Sequence, residues 1–346
     1  EGIDTLEKLA LVKRTIVDVV KPTGTAVLNA ADPFVAPMSE KCPGRSLMFA
    51  IAEHHPVLFA HRSAGKSVIF VRNGSIVLVE DGVETIIETL TNIPVTMKGH
   101  ISFQVENVLA AAAAGWSLGL PVSQIQLGLR TFHPDLKQSP GRFNIVEINQ
   151  AMVVVDYGHN PSALDALIQA VETLPGNRRS VVYSTAGDRR NCDIERQGEQ
   201  LGNHFDDVYV YEGHYKRGRA DGETIALFQS GLNRGNRAKN ICTVEGALVA
   251  AETALNNLRP GDLLLLQADT VDETVEFLMD YVGRKNLAPI SMTATTLQSS
   301  DITRCKPANQ PETAGVQSGS GDCTTPELHS TSANPASSQT QPTVTA

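Results

Sequence analysis

The chain has 346 residues, a net charge of −9, 41% hydrophobic residues and 5% aromatic ones. That length supports two domains of ordinary size, each burying its own core, and the acidic balance argues against a nucleic-acid partner. Cys42, Cys192, Cys242, Cys305 and Cys323 are odd in number, widely spaced and free of any CxxC pair, so neither a disulfide framework nor a resident metal site is expected.

No apolar run approaches the roughly 18 residues of a membrane span, and the opening EGIDTLEKLA is too charged for a signal peptide. A cytoplasmic protein without a membrane partner is expected. The first residue is Glu1 rather than Met, and the chain is read as a portion of a longer protein.

Leu6, Leu9, Val12, Ile16 and Val20 fall at helical spacing behind Asp4 and Thr5, which predicts a capped amphipathic helix over 5–20. Thr25–Asn29 then reads as a short strand ending in the polar cluster Asn29-Ala-Ala-Asp32-Pro33. From Ser46 to Glu88 the pattern is a string of β-branched segments, with 67–71 and 75–79 joined as a hairpin by Arg-Asn-Gly. Two helices follow, an alanine-rich one over 106–118 and a shorter one over 122–130.

Near residue 138 the character changes. Strands near 143–146, 152–156, 180–184, 207–211 and 262–267 alternate with helices starting at Pro161 and spanning 194–203, 222–231, 244–256 and 272–281. Strands alternating with helices of 10 to 15 residues predict parallel pairing in a three-layer Rossmann-like arrangement. Residues 287–346 are Ser, Thr, Gln, Pro and Ala with few large apolar side chains, which predicts a disordered low-complexity tail.

Four segments carry polar residues at strand ends or helix starts, where open α/β sheets bind ligands. In Val153-Val-Val-Asp156-Tyr157-Gly158-His159-Asn160-Pro161 a buried strand delivers Asp, His and Asn to a helix with Pro in its first turn. A carboxylate there can accept from ribose hydroxyls, yet Asn160 is equally suited to capping the helix and Asp156 to ending the strand. Pro140-Gly141-Arg142-Phe143 places an arginine on a tight turn, either a phosphate contact or a solvated side chain. Gly187-Asp188-Arg189-Arg190 offers both charges to an amino acid, or a surface ion pair. Gly99-His100 through Asn107 opens the alanine-rich helix, as a nucleotide-facing terminus or an ordinary cap. Ala60 to Ser67 nearly matches GxxxxGK[ST], but Ala60 replaces the first glycine and a strand follows, so it is read as a turn. No GxGxxG follows a strand, which excludes a dinucleotide-binding dehydrogenase.

In chain order, Leu28-Asn29-Ala-Ala-Asp32-Pro33, Gly99-His100 with Asn107-Val-Leu-Ala-Ala, Pro140-Gly-Arg142-Phe143, Asp156-Tyr-Gly-His159-Asn160-Pro161 and Gly187-Asp188-Arg189-Arg190 resemble the ordered motifs of the Mur ligase superfamily. DYGHNP, GDRR, Gly218-Arg219 and Pro260-Gly-Asp-Leu-Leu-Leu are most similar to the cyanophycin synthetases within it. The resemblance covers residues 1–286. It implies the C-terminal part of a central ATP-binding α/β domain over 1–138, a Rossmann-like C-terminal domain over 139–286 and the tail beyond.

The same resemblance implies an ATP-dependent ligase that joins an amino acid, arginine, to the side-chain carboxylate of an aspartate-rich polymer through an acyl phosphate. By motif, Asn29, His159 and Asn160 surround adenine, Asp156 binds ribose, Asp32 and Asn107 belong to the nucleotide site, and Arg142 meets the terminal phosphates. Asp188, Arg189, Arg217 and Arg219, with the loop from Tyr215, position the amino acid. ATP and Mg2+ require an upstream half or subunit that supplies the phosphate loop and metal ligands, and a homo-oligomer is expected. Three positions depart from the pattern: Ala31 replaces an acidic residue, Gln104 an asparagine and Asn191 an aspartate. With no GKT/S loop in the sequence, the chain is expected to be inactive alone, and a non-catalytic nucleotide- or partner-binding module is the alternative.

Overall fold

The computed structural model describes residues 5–213 and 216–285, together with the backbone of Ser291–Met292. Asp4, Tyr215 and almost all of the expected tail lie outside the described residues.

Helix α1 (Leu6–Asp18) begins where Thr5 Oγ1 accepts from Lys8 N at 3.3 Å, and it buries only Val17. Strands β1 (Thr25–Asn29), β2 (Arg45–Ala52), β3 (Val68–Arg72), β4 (Ser75–Glu80) and β5 (Val83–Thr89) form one sheet in that spatial order, parallel from β1 to β3 and antiparallel thereafter. The expected hairpin joins β3 to β4 through Asn73 and Gly74, both in the left-handed region at φ 51° and 72°, as a tight hairpin turn of Asn-Gly requires. The string of β segments conceals one helix, α2 (Pro56–Ser63). Ala60 to Ser67 is therefore the end of α2 and a turn into β3, the reverse of the strand-to-helix order that holds phosphates.

Helices α3 (Ser102–Ser117) and α4 (Val122–Thr131) follow, α3 starting four residues before the predicted position. Alternation along the strands serves two cores. Ile76 and Leu78 face Val105, Leu109 and Ala112 of α3, while Val77 and Val79 face Leu58 and Phe70 on the other side.

The second sheet contains β6 (Asn144–Ile148), β7 (Ala151–Asp156), β8 (Arg179–Tyr183), β9 (Asp207–Tyr211), β10 (Asn240–Val244), β11 (Leu263–Gln267) and β12 (Ser291–Met292). Its order is β10-β9-β8-β11-β7-β6-β12, parallel from β10 to β7, with β6 and β12 antiparallel. Strand β10 was not predicted. Ser291–Met292, inside the segment expected to be a tail, pairs with β6 instead.

Helices α5 (Pro161–Thr173), α6 (Asn191–His204) and α7 (Glu223–Leu232) cover one face through Leu164, Ile168, Ile194, Leu201 and Phe228. Helices α8 (Ala247–Asn256) and α9 (Val271–Arg284) cover the other through Ala251, Leu255 and Leu278. Burial on both faces explains the unbroken apolar runs Val153–Val155 and Leu263–Leu266, which read as strands without alternation. The expected α/β layering is thus the fold the chain adopts. The connection after β7 runs out toward β10 and returns to β11, so the carboxyl ends of β7, β11 and β8 flank the point where strand order reverses.

Helices α6 and α7 meet backbone to backbone. A Cβ on Gly231 would lie 2.0 Å from Glu195 O, and one on Gly198 2.4 Å from Phe228 O. Neither atom is the movable end of a side chain, so Gly231→Ala must push the helices apart. Overpacking of this kind costs about 1–3 kcal/mol. Gly231→Ala should lower the melting temperature measured by calorimetry by several degrees; an unchanged melting temperature would mean that the helices separate freely.

Candidate functional site

The most informative cavity, about 620 Å³, lies between the start of α3 and the loop that follows β7. Its near wall is Phe103, Gln104, Asn107 and Phe132, and its far wall is Arg142, Asp156, Tyr157, His159 and Asn160. The two sides are joined by apolar contact, with Phe103 edge-on to Phe143 at 5.3 Å between ring centres and Ile101 buried in the second sheet's core.

A buried amide builds the floor of the site. Asn144, fully buried at the start of β6, donates to Pro134 O and Ser139 O at 2.9 Å each and accepts from Gly141 N at 2.7 Å. These bonds fold residues 134–141 into a tight arch, with Gly141 and Phe143 in the left-handed region at φ 66° and 54°. Asp156 completes it: one carboxylate oxygen accepts from Phe143 N at 2.8 Å and the other from Gly158 N at 2.6 Å. Gly141 O in turn accepts from Tyr157 N at 2.9 Å.

The arch carries Arg142, which is exposed and stands 5.4 Å from the Tyr157 ring centre. Tyr157 also meets His159 edge-on at 4.7 Å, and His159 Nδ1 donates to Tyr157 O at 3.3 Å. Asn160 caps α5, its Oδ1 accepting from Ala163 N at 2.9 Å, which leaves the side-chain NH2 for a ligand. Asn107 donates to Gln104 Oε1 at 3.1 Å and keeps its own carbonyl oxygen. Burial pushes the Asp156 carboxyl above its ordinary range, opposed by the Gly158 and Phe143 N–H groups and by the charge of Arg142.

Five sequence candidates, Asn107, Arg142, Asp156, His159 and Asn160, therefore line one cavity. Asn29 and Asp32 are not in its lining. They close turns at the end of β1, Asn29 Oδ1 accepting from Ala31 N at 2.9 Å and Asp32 Oδ1 from Phe34 N at 2.8 Å. The amino-acid candidates form a separate group beyond β8 and β9. Arg217 donates to Asp188 at 2.8 Å. Arg219, only 13% exposed, donates to Gly187 O at 2.6 Å, to Arg189 O at 2.5 Å and to Glu223, so its guanidinium fastens the loop. Gly187 permits this closeness, since a Cβ there would lie 2.0 Å from Lys216 O.

Sequence reasoning missed Asn144, Phe103 and Phe132; a lone polar residue opening an apolar strand was the available signal for the first. No group of three or more His, Cys, Asp or Glu side chains among the described residues is disposed to hold a metal ion. No helix among the described residues is long and apolar enough to cross a membrane.

Residues 141–269 match the family described as Mur ligase, glutamate ligase domain. The chain is 35% identical over 277 residues to a cyanophycin synthetase of Synechocystis sp., covering 80% of this chain and 32% of that protein. It is 32% identical over 280 residues to the cyanophycin synthetase of Geminocystis herdmanii, covering 81% of this chain and 32% of that protein. The chain thus spans about a third of the length of these curated relatives. Among solved structures, E. coli FolC in complex with DHPP and ADP superposes with a TM-score of 0.56 at 19% identity, over 83% of this chain and 60% of that one. A pseudomurein peptide ligase type C from Methanothermus fervidus gives 0.54 at 18% identity, over 80% and 60%. These likenesses are likenesses of fold.

A carboxyl whose pKa is higher in the folded than in the unfolded protein stabilises the fold while protonated, and that contribution is lost as pH rises through the folded value. Asp156→Asn removes the titration. The melting temperature of the variant should therefore rise relative to wild type as pH increases upward from the ordinary aspartate range of about 4; a difference that stayed constant or shrank would show that Asp156 ionises without penalty.

Proposed function

Residues 141–269 match the Mur ligase glutamate ligase domain, and on that premise we propose that the chain is a member of the Mur ligase superfamily, the C-terminal portion of an ATP-dependent amide ligase of the cyanophycin-synthetase type. Residues 1–138 are the end of the ATP-binding domain in this reading, and residues 139–286 the domain that closes over the nucleotide. The observation that carries it is the convergence of Asn107, Arg142, Asp156, His159 and Asn160 on one cavity between α3 and β7.

The lining suits a nucleotide. Each Asp156 oxygen already accepts one N–H and retains capacity for a ribose hydroxyl. Phe103, Phe132 and Tyr157 offer flat apolar surface to a base, while the Asn160 amide and His159 ring supply polar contacts at its edge. Arg142, exposed at the mouth, is the charge available to terminal phosphates. Asn29 and Asp32, outside this lining, contribute in this reading from the end of β1.

ATP supplies the driving force: a carboxylate oxygen bonds to its terminal phosphorus as ADP leaves, and an amine nitrogen then attacks the acyl carbon, releasing phosphate and forming the amide. An acyl phosphate needs protection from water, and a cleft between two closing elements provides it. The phosphate loop and Mg2+ ligands come from the upstream portion, so this chain binds and positions without turning over alone. The carboxylate is an aspartate side chain of an acidic polymer and the amine is arginine, with the Asp188–Arg219 group near the amino acid. The setting is the cytoplasm.

Titration calorimetry with ADP and the 346-residue chain tests the reading. Saturable binding is expected, and Asp156→Ala or Arg142→Ala should weaken it at least about tenfold, the loss of one hydrogen bond to a charged group. Absence of ADP binding at millimolar concentration would remove the nucleotide assignment.

A further inference from the structure

Helix α1 leaves most of its apolar surface in solvent. Leu9, Val12, Ile16 and Val19 recur at intervals of three and four residues, so they line one side of the helix, and each is between 40% and 72% exposed. It is a different side from that of Ala10 and Val17, which pack against the sheet with Ala26 and Leu28 of β1. A helix with one apolar seam on its sheet and a second in solvent has the pattern of an element meant to be covered twice.

The strand that α1 leads into has an open edge. β1 borders its sheet and pairs with β2 alone among the described strands. Gly24 O accepts from Arg45 N and Ala30 N donates to Phe49 O, so the even-numbered residues turn their backbone groups toward β2. Thr25, Val27 and Asn29 therefore turn theirs outward. Border strands that stay unpaired are protected by charged side chains, proline or a bulge. Thr25-Ala-Val-Leu-Asn29 has no charge and no proline, and its register with β2 is unbroken.

The strands β1 to β3 run parallel, and a helix that connects two parallel neighbours packs across both of them. Helix α1 packs on β1 with one seam, and its second seam corresponds to a neighbour beyond the open edge. We propose that the edge of β1 and the seam of Leu9, Val12, Ile16 and Val19 form one dock, on which the upstream portion of the ligase adds a strand parallel to β1 and lays apolar surface over α1. The inference rests on the ligase reading above and deepens it by naming where the phosphate-binding portion attaches. The chain spans about a third of the length of its cyanophycin synthetase relatives, so a protein of that size holds the chain needed to fill the dock. A strand added in parallel ends beside Asn29, at the carboxyl edge where open α/β sheets gather their ligand loops. Asn29 and Asp32, outside the cavity lining, then face the docked portion.

The polypeptide encoded directly upstream of Glu1, produced as a separate chain, should form a complex with the 346-residue protein in size-exclusion chromatography with light scattering. Val12→Glu and Ile16→Glu lie on the exposed side of α1; each should leave the melting temperature of the isolated chain nearly unchanged and weaken the complex at least about tenfold, the worth of one buried aliphatic side chain. Hydrogen exchange at the Val27 and Asn29 amides should slow in the complex, while that at Leu28, already turned to β2, should not. A complex indifferent to both variants, or Val27 and Asn29 amides that exchange as fast in the complex as alone, overturns the proposal. So does an upstream sequence that encodes no such portion, or self-association of the 346-residue chain through the same residues. ATP consumption by the mixture with arginine and an aspartate-rich polymer, together with ADP titration, separates the two readings. Turnover that persists in both variants, with the complex intact, removes the dock and keeps the ligase, whereas a complex that the variants abolish but that neither binds ADP nor consumes ATP keeps the dock and removes the ligase.

Discussion

The Asp156 carboxylate is the constraint from which the site follows. It ends a strand whose three preceding residues, Val153–Val155, are wholly buried, and its two oxygens are tied to backbone N–H groups of different segments, Phe143 before β6 and Gly158 after β7. Those two bonds set the arch that carries Arg142 and the loop that carries His159 into a common orientation. A carboxylate held by two backbone donors cannot swing away, so its remaining lone pairs point in fixed directions. Preorganisation of this kind is what a binding site needs, and it is maintained against the cost of burying a charge.

Asn144 plays the complementary part with a neutral group. It satisfies two carbonyls and one N–H inside a loop that has no regular structure, which lets an irregular segment lie against the core without unpaired backbone at the contact. The apolar contact of Phe103 with Phe143 then brings the first sheet's helix against this loop. Carboxylate, amide and aromatic pair fix three different degrees of freedom of the same cleft.

Most of the fold was legible because its strands are buried on both faces: Val153–Val155 and Leu263–Leu266 read as strands by hydrophobicity alone. Failures occurred where that signal was weak. Helix α2 is a single eight-residue helix set among β-branched runs, and β10 is an edge strand whose side chains are exposed or nearly so, with little pattern to find. The start of α3 was placed late because Gln104 reads as a polar loop residue, although it is buried. For the site, DYGHNP announced itself by concentrating polar residues after an apolar strand.

The glycine contact between α6 and α7 has a mechanical meaning. Helix α6 starts directly after Gly187–Arg190, and α7 directly after the segment holding Arg217 and Arg219. Two helices locked backbone to backbone behave as a single stiff lever with both loops mounted at the same end. Arg219 bridges the loops across that end as well. Ordering one loop therefore orders the other, and the ensemble pays the entropy of a single conformational choice for two segments of chain.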